Sequence, residues 1–318
     1  MLVLSAPKMR NARLLLCALG ALIAAGAQAG EDAQAWFERM REALHGQDYE
    51  GRFVYQVGPQ LEAMYVVHRV SGAVELERLV SLNGDHKQVI RGDRAVACLE
   101  PGKHAISVIE GLGGDSRQPS GQLDSAHLLN HYQMVMGERQ RIAGREAQLI
   151  RIMPRDGFRF GYDLYLDRDT GLPLRTVMLD KHGQQQSQTM FVELKTGKDI
   201  TPIEHDISAL QLTRPERITV SASVSDPASS GWRFATLPPG FTLHSSRADS
   251  TRRHFIFSDG LATLSLYVEP MAEDGLGGFS SVGATWAYGA QRHGRQITAV
   301  GEVPRETLRL IAHAIEPQ

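Results

Sequence analysis

The chain has 318 residues, 42% of them hydrophobic, with 34 basic and 36 acidic side chains and a formal charge of −2. Such a length builds one large or two ordinary domains around a substantial apolar core. The slight acidic excess argues against nucleic acid or a wholesale anionic membrane surface as the main partner, while leaving room for a local basic patch.

The first 29 residues read as an export signal. Lys8, Arg10 and Arg13 precede an uncharged apolar run at 14–25, and Ala27-Gln28-Ala29 supplies a small-x-small cleavage pattern. Twelve apolar residues are too few to span a bilayer as a helix. The pattern predicts cleavage after Ala29 and a soluble mature protein in the periplasm. Cys17 has too little apolar sequence before it for lipoprotein processing. The mature chain would keep 31 basic against 36 acidic residues, a net charge of −5, and Cys98 as its one cysteine. It can form no internal disulfide, so the fold must rest on its apolar core.

Residues 31–47 predict an amphipathic helix, with Ala33, Trp36, Phe37, Met40, Ala43 and Leu44 at helical spacing. The period then changes to two. Strands are expected at 49–57, 63–70, 74–82, 88–91, 95–99 and 105–109, separated by turn residues such as Asn83-Gly84-Asp85. Connections this short require antiparallel pairing. The Gly- and Ser-rich stretch 111–122 predicts a loop, and 126–132 a short helix capped by Asp124 or Ser125. Strands resume at 135–142, 147–153, 158–166, 174–179 and 188–195. Phe158, Phe160, Tyr162, Leu164 and Leu166 form the clearest alternation in the chain. Residues 200–230, with Pro202, Pro215 and Pro227, read as a linker between domains at 30–199 and 231–318. The second domain predicts strands at 241–245, 253–257, 262–268, 284–290 and 295–300, a loop at 273–281, and a closing helix near 304–315.

No catalytic set emerges. His127 and His131 lie one helical turn apart with Asp124 nearby, but Leu128 stands where a zinc hydrolase needs its general base. Asp167 to Gly171 begins like a calcium loop, yet position 12 would be Met178, and a β-turn fits better. The segments 111–114 and 275–278 lack the Lys-Ser/Thr of a phosphate loop. Residues 278–283 miss the nucleophile-elbow spacing by one. Cys98 falls in an expected strand and reads as a small hydrophobe. The reading is of a protein that is not an enzyme and needs neither metal nor cofactor. The remaining chemistry is apolar surface: Phe53, Tyr55, Met64, Val66, Phe160, Tyr162 and Leu164 on one set of alternations, Tyr65, Val67, Tyr165 and Val192 on the other. Either the first set is core, or it lines a cavity of adaptable Met and aromatic side chains that holds an acyl chain.

Several segments, in order, resemble the MucB/RseB family. They are 51–55 (GRFVY), 68–70 (HRV), 160–167 (FGYDLYLD), 169–174 (DTGLPL), 237–241 (LPPGF), 258–262 (SDGLA) and 300–304 (VGEVP). The resemblance implies an α+β fold with two parts. The N-terminal domain would be an unclosed antiparallel β-barrel similar to the lipoprotein carriers LolA and LolB, with helices on its open side, and the C-terminal domain a smaller antiparallel sheet and helix. It implies a periplasmic negative regulator that binds the periplasmic region of an RseA/MucA-like membrane anti-sigma factor and shields it from proteolysis. Displacement by lipopolysaccharide or lipoprotein acyl chains is part of the same expectation, and self-association into a homo-oligomer is left open. A lipid or lipoprotein carrier of LolA type is the alternative.

Overall fold

The computed structural model describes residues 32–72, 74–85, 87–92, 95–100, 103–110, 125–203, 217–219, 231–248, 251–271 and 275–318. The expected export signal with its expected cleavage site, the 111–122 segment, Asp124 and most of the expected linker lie outside the described residues.

Helix α1 (Ala33–Gly46) buries Ala33, Trp36, Phe37, Met40 and Ala43, the apolar stripe of the sequence. Next come β1 (Tyr49–Val57), β2 (Gln60–Ser71), β3 (Val74–Ser81), β4 (Gln88–Arg91), β5 (Ala95–Glu100) and β6 (Lys103–Glu110). After α2 (Ser125–His131) follow β7 (Tyr132–Ile142), β8 (Arg145–Pro154), β9 (Gly161–Asp167), β10 (Pro173–Leu179) and β11 (Gln185–Thr196). With β12 (Arg217–Thr219) these strands form a twelve-stranded sheet in the order β12-β6-β5-β4-β3-β2-β1-β11-β10-β9-β8-β7. Its two outermost strands do not pair with each other, so the sheet is unclosed. All neighbours are antiparallel except β12 and β6. That parallel pair was not expected from the short hairpins; the long chain between the two strands supplies the crossover it needs.

The second half adds β13 (Trp232–Phe234), β14 (Thr242–Ala248), β15 (Arg253–Ser258), β16 (Thr263–Pro270), β17 (Gly278–Val282), β18 (Thr285–Arg292), β19 (Arg295–Gly301), α3 (Arg305–Ala314) and β20 (Ile315–Pro317). Strands β14 to β19 make a six-stranded antiparallel sheet, and β13 pairs with β20. Leu308, Ile311 and Ala312 of α3 share a core with Phe255, Phe257, Leu264, Leu266, Ile297 and Ala299. The ring of Phe234 stands edge-on to Phe255 and Phe257 at 5.2 and 4.8 Å.

Three local expectations change. The strand expected from 158 begins at Gly161, because Asp156 accepts the Phe158 amide in a tight turn and Arg159 turns away from the sheet. Tyr132 opens β7 and does not extend α2. The loop expected at 273–281 contains β17, whose pairing with β18 outweighs the weak strand preference of Gly278, Ser280 and Ser281.

The turn between β9 and β10 fastens α1 to the sheet. Asp167 accepts from the Thr170 amide (3.1 Å) and hydroxyl (2.5 Å) and takes a two-point contact from Arg145 at 3.1 and 2.8 Å. Those bonds hold its carboxyl below the ordinary range against the opposing effect of burial. Arg39 of α1 then donates to the carbonyls of Arg168 and Asp169, and Gln47 to that of Thr170, all at 2.8 Å. Gly171 sits at φ +84° against Arg39, a conformation and a gap that suit glycine. The Asp167 oxygens are thus engaged inside a β-turn. On the sheet's other side, Ile200 and Ile203 are buried against Val67 and Leu76, and Arg69 donates to the Ile200 carbonyl at 2.7 Å. Residues 200–203 therefore pack on the sheet.

Candidate functional site

Strand register decides which of the expected apolar residues share a face. Phe53 pairs with Met64, and Gly51, two residues away on the same side, pairs with Val66. Tyr55 opposes Thr189, Thr189 opposes Thr176, Thr176 opposes Leu164, and Leu164 opposes Ile150. A second row runs Ile152, Tyr162, Met178, Ser187. Phe53, Tyr55, Met64, Val66, Tyr162 and Leu164 accordingly lie on one face, the face α1 covers. Phe160 stands just outside β9 and is buried with Met178 and Ala284 of the second half.

Cover over this face is uneven. Trp36, Phe37 and Met40 close over Ile150, Ile152, Leu164 and Leu166. Leu164, Val66 and Phe160 are buried, whereas Phe53, Tyr55, Met64 and Tyr162 are half-buried. Phe53 tilts against Phe191 at 5.5 Å. Burial pushes the Tyr55 and Tyr162 hydroxyls above their usual pKa. On the opposite face Val67 and Tyr165 are buried, Tyr65 is half-buried, and Val192 is exposed.

A polar junction joins the two halves. Arg159 and Asp259, both with side chains at 0% exposure, meet at 2.7 Å. Arg159 also donates to Asp156 at 3.0 Å and to the carbonyl of Pro239. Its guanidinium lies 5.3 Å from the Tyr132 ring and 5.2 Å from that of Phe241. Tyr132 donates to Asp259 at 2.8 Å, and the other Asp259 oxygen accepts the amides of Leu261 and Ala262. Thr307 of α3 donates to the Phe158 carbonyl at 2.6 Å. Each nitrogen of the buried guanidinium and each oxygen of the carboxylate has a partner, as a buried ion pair requires.

His127 and His131, weighed above as metal ligands, belong to this junction. His127 Nε2 donates to the Gly240 carbonyl at 3.1 Å, and Gly240 rests against the His131 ring. Among the described residues no three His, Cys, Asp or Glu side chains gather into a metal site, and no helix is long and apolar enough to cross a membrane.

A family model for the MucB/RseB N-terminal domain matches residues 32–210, and one for the MucB/RseB C-terminal domain matches 226–316. The chain belongs to the MucB/RseB family. Among MucB/RseB relatives, the sigma factor AlgU regulatory protein MucB of Pseudomonas aeruginosa is 33% identical over 326 residues, covering 98% of each chain. The sigma-E factor regulatory protein RseB of Haemophilus influenzae is 28% identical, covering 94% of this chain and 96% of its own. RseB of Escherichia coli K12 is 25% identical over 93% and 94%. A solved complex of P. aeruginosa MucA and MucB superposes with a TM-score of 0.67 at 31% identity, covering 90% of this chain and 99% of that one. A second MucB structure, in complex with MucA(peri), gives 0.65 at 29% with the same coverage. The family resemblance read from seven short segments is therefore sustained along nearly the whole chain.

Sequence reasoning missed the junction of this MucB/RseB protein. Arg159 falls between Phe158 and Phe160, at a position that period-two alternation assigns to the polar side of a strand. Its partner is 100 residues away, and nothing local in the sequence names it.

Proposed function

We propose that this chain is an exported, non-enzymatic regulator that binds the periplasmic region of a MucA/RseA-like membrane anti-sigma factor and shields it from proteolysis. The carrying observation is correspondence over 98% of both chains with MucB, a protein solved in complex with MucA. In this reading the leader ends at Ala29 and the protein acts in the periplasm, with one domain before and one after the 200–230 region. The half-buried Phe53, Tyr55 and Met64 on the α1 face would accept acyl chains of lipopolysaccharide or lipoprotein, with Val66, Tyr162 and Leu164 forming the floor. Aromatic and Met side chains adapt to such ligands without fixed polar geometry.

The test is capture of the purified periplasmic fragment of the cognate anti-sigma factor by residues 30–318, together with slower cleavage of that fragment by its site-1 protease. Absence of both would overturn the reading. A lipid or lipoprotein carrier is the second reading, favoured by the same half-buried side chains. Transfer of a labelled acyl chain to an acceptor without any anti-sigma binding would select it. The wholly buried Arg159–Asp259 contact counts against it, since a simple carrier has no use for a fastened second unit.

A further inference from the structure

The junction holds a titratable pair that the proposed regulation does not use. His127 and His131 project from the same side of α2 with ring centroids 5.2 Å apart. Both meet the Pro239-Gly240 corner of the second half. A carbonyl only accepts, so His127 must carry its proton on Nε2 to reach the Gly240 oxygen. Gly240, at φ +80°, leaves so little room that a Cβ there would come within 2.5 Å of His131 Cδ2 and Nε2. Arg159 donates to the Pro239 carbonyl next in the chain. Imidazole, guanidinium and the 239–240 backbone thus form one packed unit.

We propose that this unit is a proton-sensitive latch: it is closed while His131 is neutral, and protonation of His131 loosens the 239–240 corner from α2. The added charge would face Arg159 and His127, both repulsive. Asp156 and Asp259 attract it, but both are already bonded to Arg159. Arg155 packs along the same helix, its amide bonded to the His131 carbonyl at 2.9 Å and its Nε to that of Leu129 at 3.3 Å. Tyr132 stays un-ionised here, its pKa pushed well above 10 by burial and Asp259. Burial, then Arg159 and His127, hold the His131 pKa below its ordinary 6.5 in the closed arrangement. Released, the imidazole returns toward 6.5, so the open form binds the proton more readily. Closure is therefore at full strength above about pH 6.5 and weakens as the pH falls toward the closed-state value.

The experiment is hydrogen exchange on the mature chain at pH 7.5 and 5.5, corrected for intrinsic rates, with no lipid or anti-sigma factor present. Its outcome is thus separate from the proposed regulation. Protection in peptides spanning 125–134 and 238–243 is expected to fall severalfold at pH 5.5, with β16 and β19 unchanged. His131→Gln, which remains neutral, is expected to abolish that difference. Equal protection at both pH values, or an unaltered difference in His131→Gln, overturns the latch. If His131→Gln is too unstable to compare, the imidazole NMR titration of the wild-type chain decides. A His131 midpoint coinciding with the loss of protection supports the latch, and a midpoint elsewhere refutes it.

Discussion

The junction between the halves and the α1 face of the large sheet are both interior surfaces, made by opposite means. At the junction, Arg159, Asp259 and Tyr132 are buried with directional bonds satisfied, so one arrangement is strongly preferred. On the α1 face, Phe53, Tyr55 and Met64 are half-buried, and Phe53 is held by apolar contact with Phe191 and its neighbours. Position is fixed by charge in one region, while capacity is left open by apolar surface in the other.

The ion pair is the most direct place to disturb this division. Asp259→Ala strands a buried guanidinium and is expected to cost about 3–5 kcal/mol, read as a lowered denaturation midpoint. The double variant Arg159→Met/Asp259→Leu should recover much of that loss, because removing both charges removes the unpaired one. A paired substitution sharpens the α1 side. Tyr162→Lys, between Ile152 and Met178, should cost on the order of 3 kcal/mol. Tyr55→Lys should cost less than about 1 kcal/mol, since its ammonium can reach water, yet should weaken acyl-chain uptake measured with a fluorescent fatty acid. Equal destabilisation by both would mean the face is uniformly core.

Gly171→Ala, in the turn that fastens α1, tests backbone strain. A left-handed alanine beside Arg39 should cost about 1–2 kcal/mol in thermal unfolding. Glu50→Gln tests a contact that depends on pH. Hydrogen bonds from Thr201, opposed by burial and joined by Lys195, hold the Glu50 carboxyl at about 2 against an ordinary 4.5. Its contribution is complete above pH 4.5 and is lost as the pH falls toward 2. Melting points of wild type and Glu50→Gln should therefore differ at pH 6 by about 1 kcal/mol equivalent and converge near pH 2.

Strands whose neighbours follow directly in sequence were legible. β1 and β4 occupy the expected residues, and alternation correctly grouped Phe53 with Tyr55 and Met64 with Val66. Alternation misled at 158–160, because those side chains serve different neighbours. Phe158 packs on the core of the second half, Arg159 reaches Asp259, and Phe160 joins Met178 and Ala284. Period-two apolarity records burial but not which surface does the burying. β13 and β20, three residues each, are held by pairing across the whole second half and left too short a pattern to read.

The short stretch at Ile200 and Ile203 has a practical consequence for dissecting the protein. A fragment ending at Asp199 would expose Val67 and Leu76 and deprive Arg69 and Glu50 of their contacts at Ile200 and Thr201. Carrying the cut past Ile203 keeps that greasy seam shut, so the longer fragment is the one expected to stay monodisperse at high concentration.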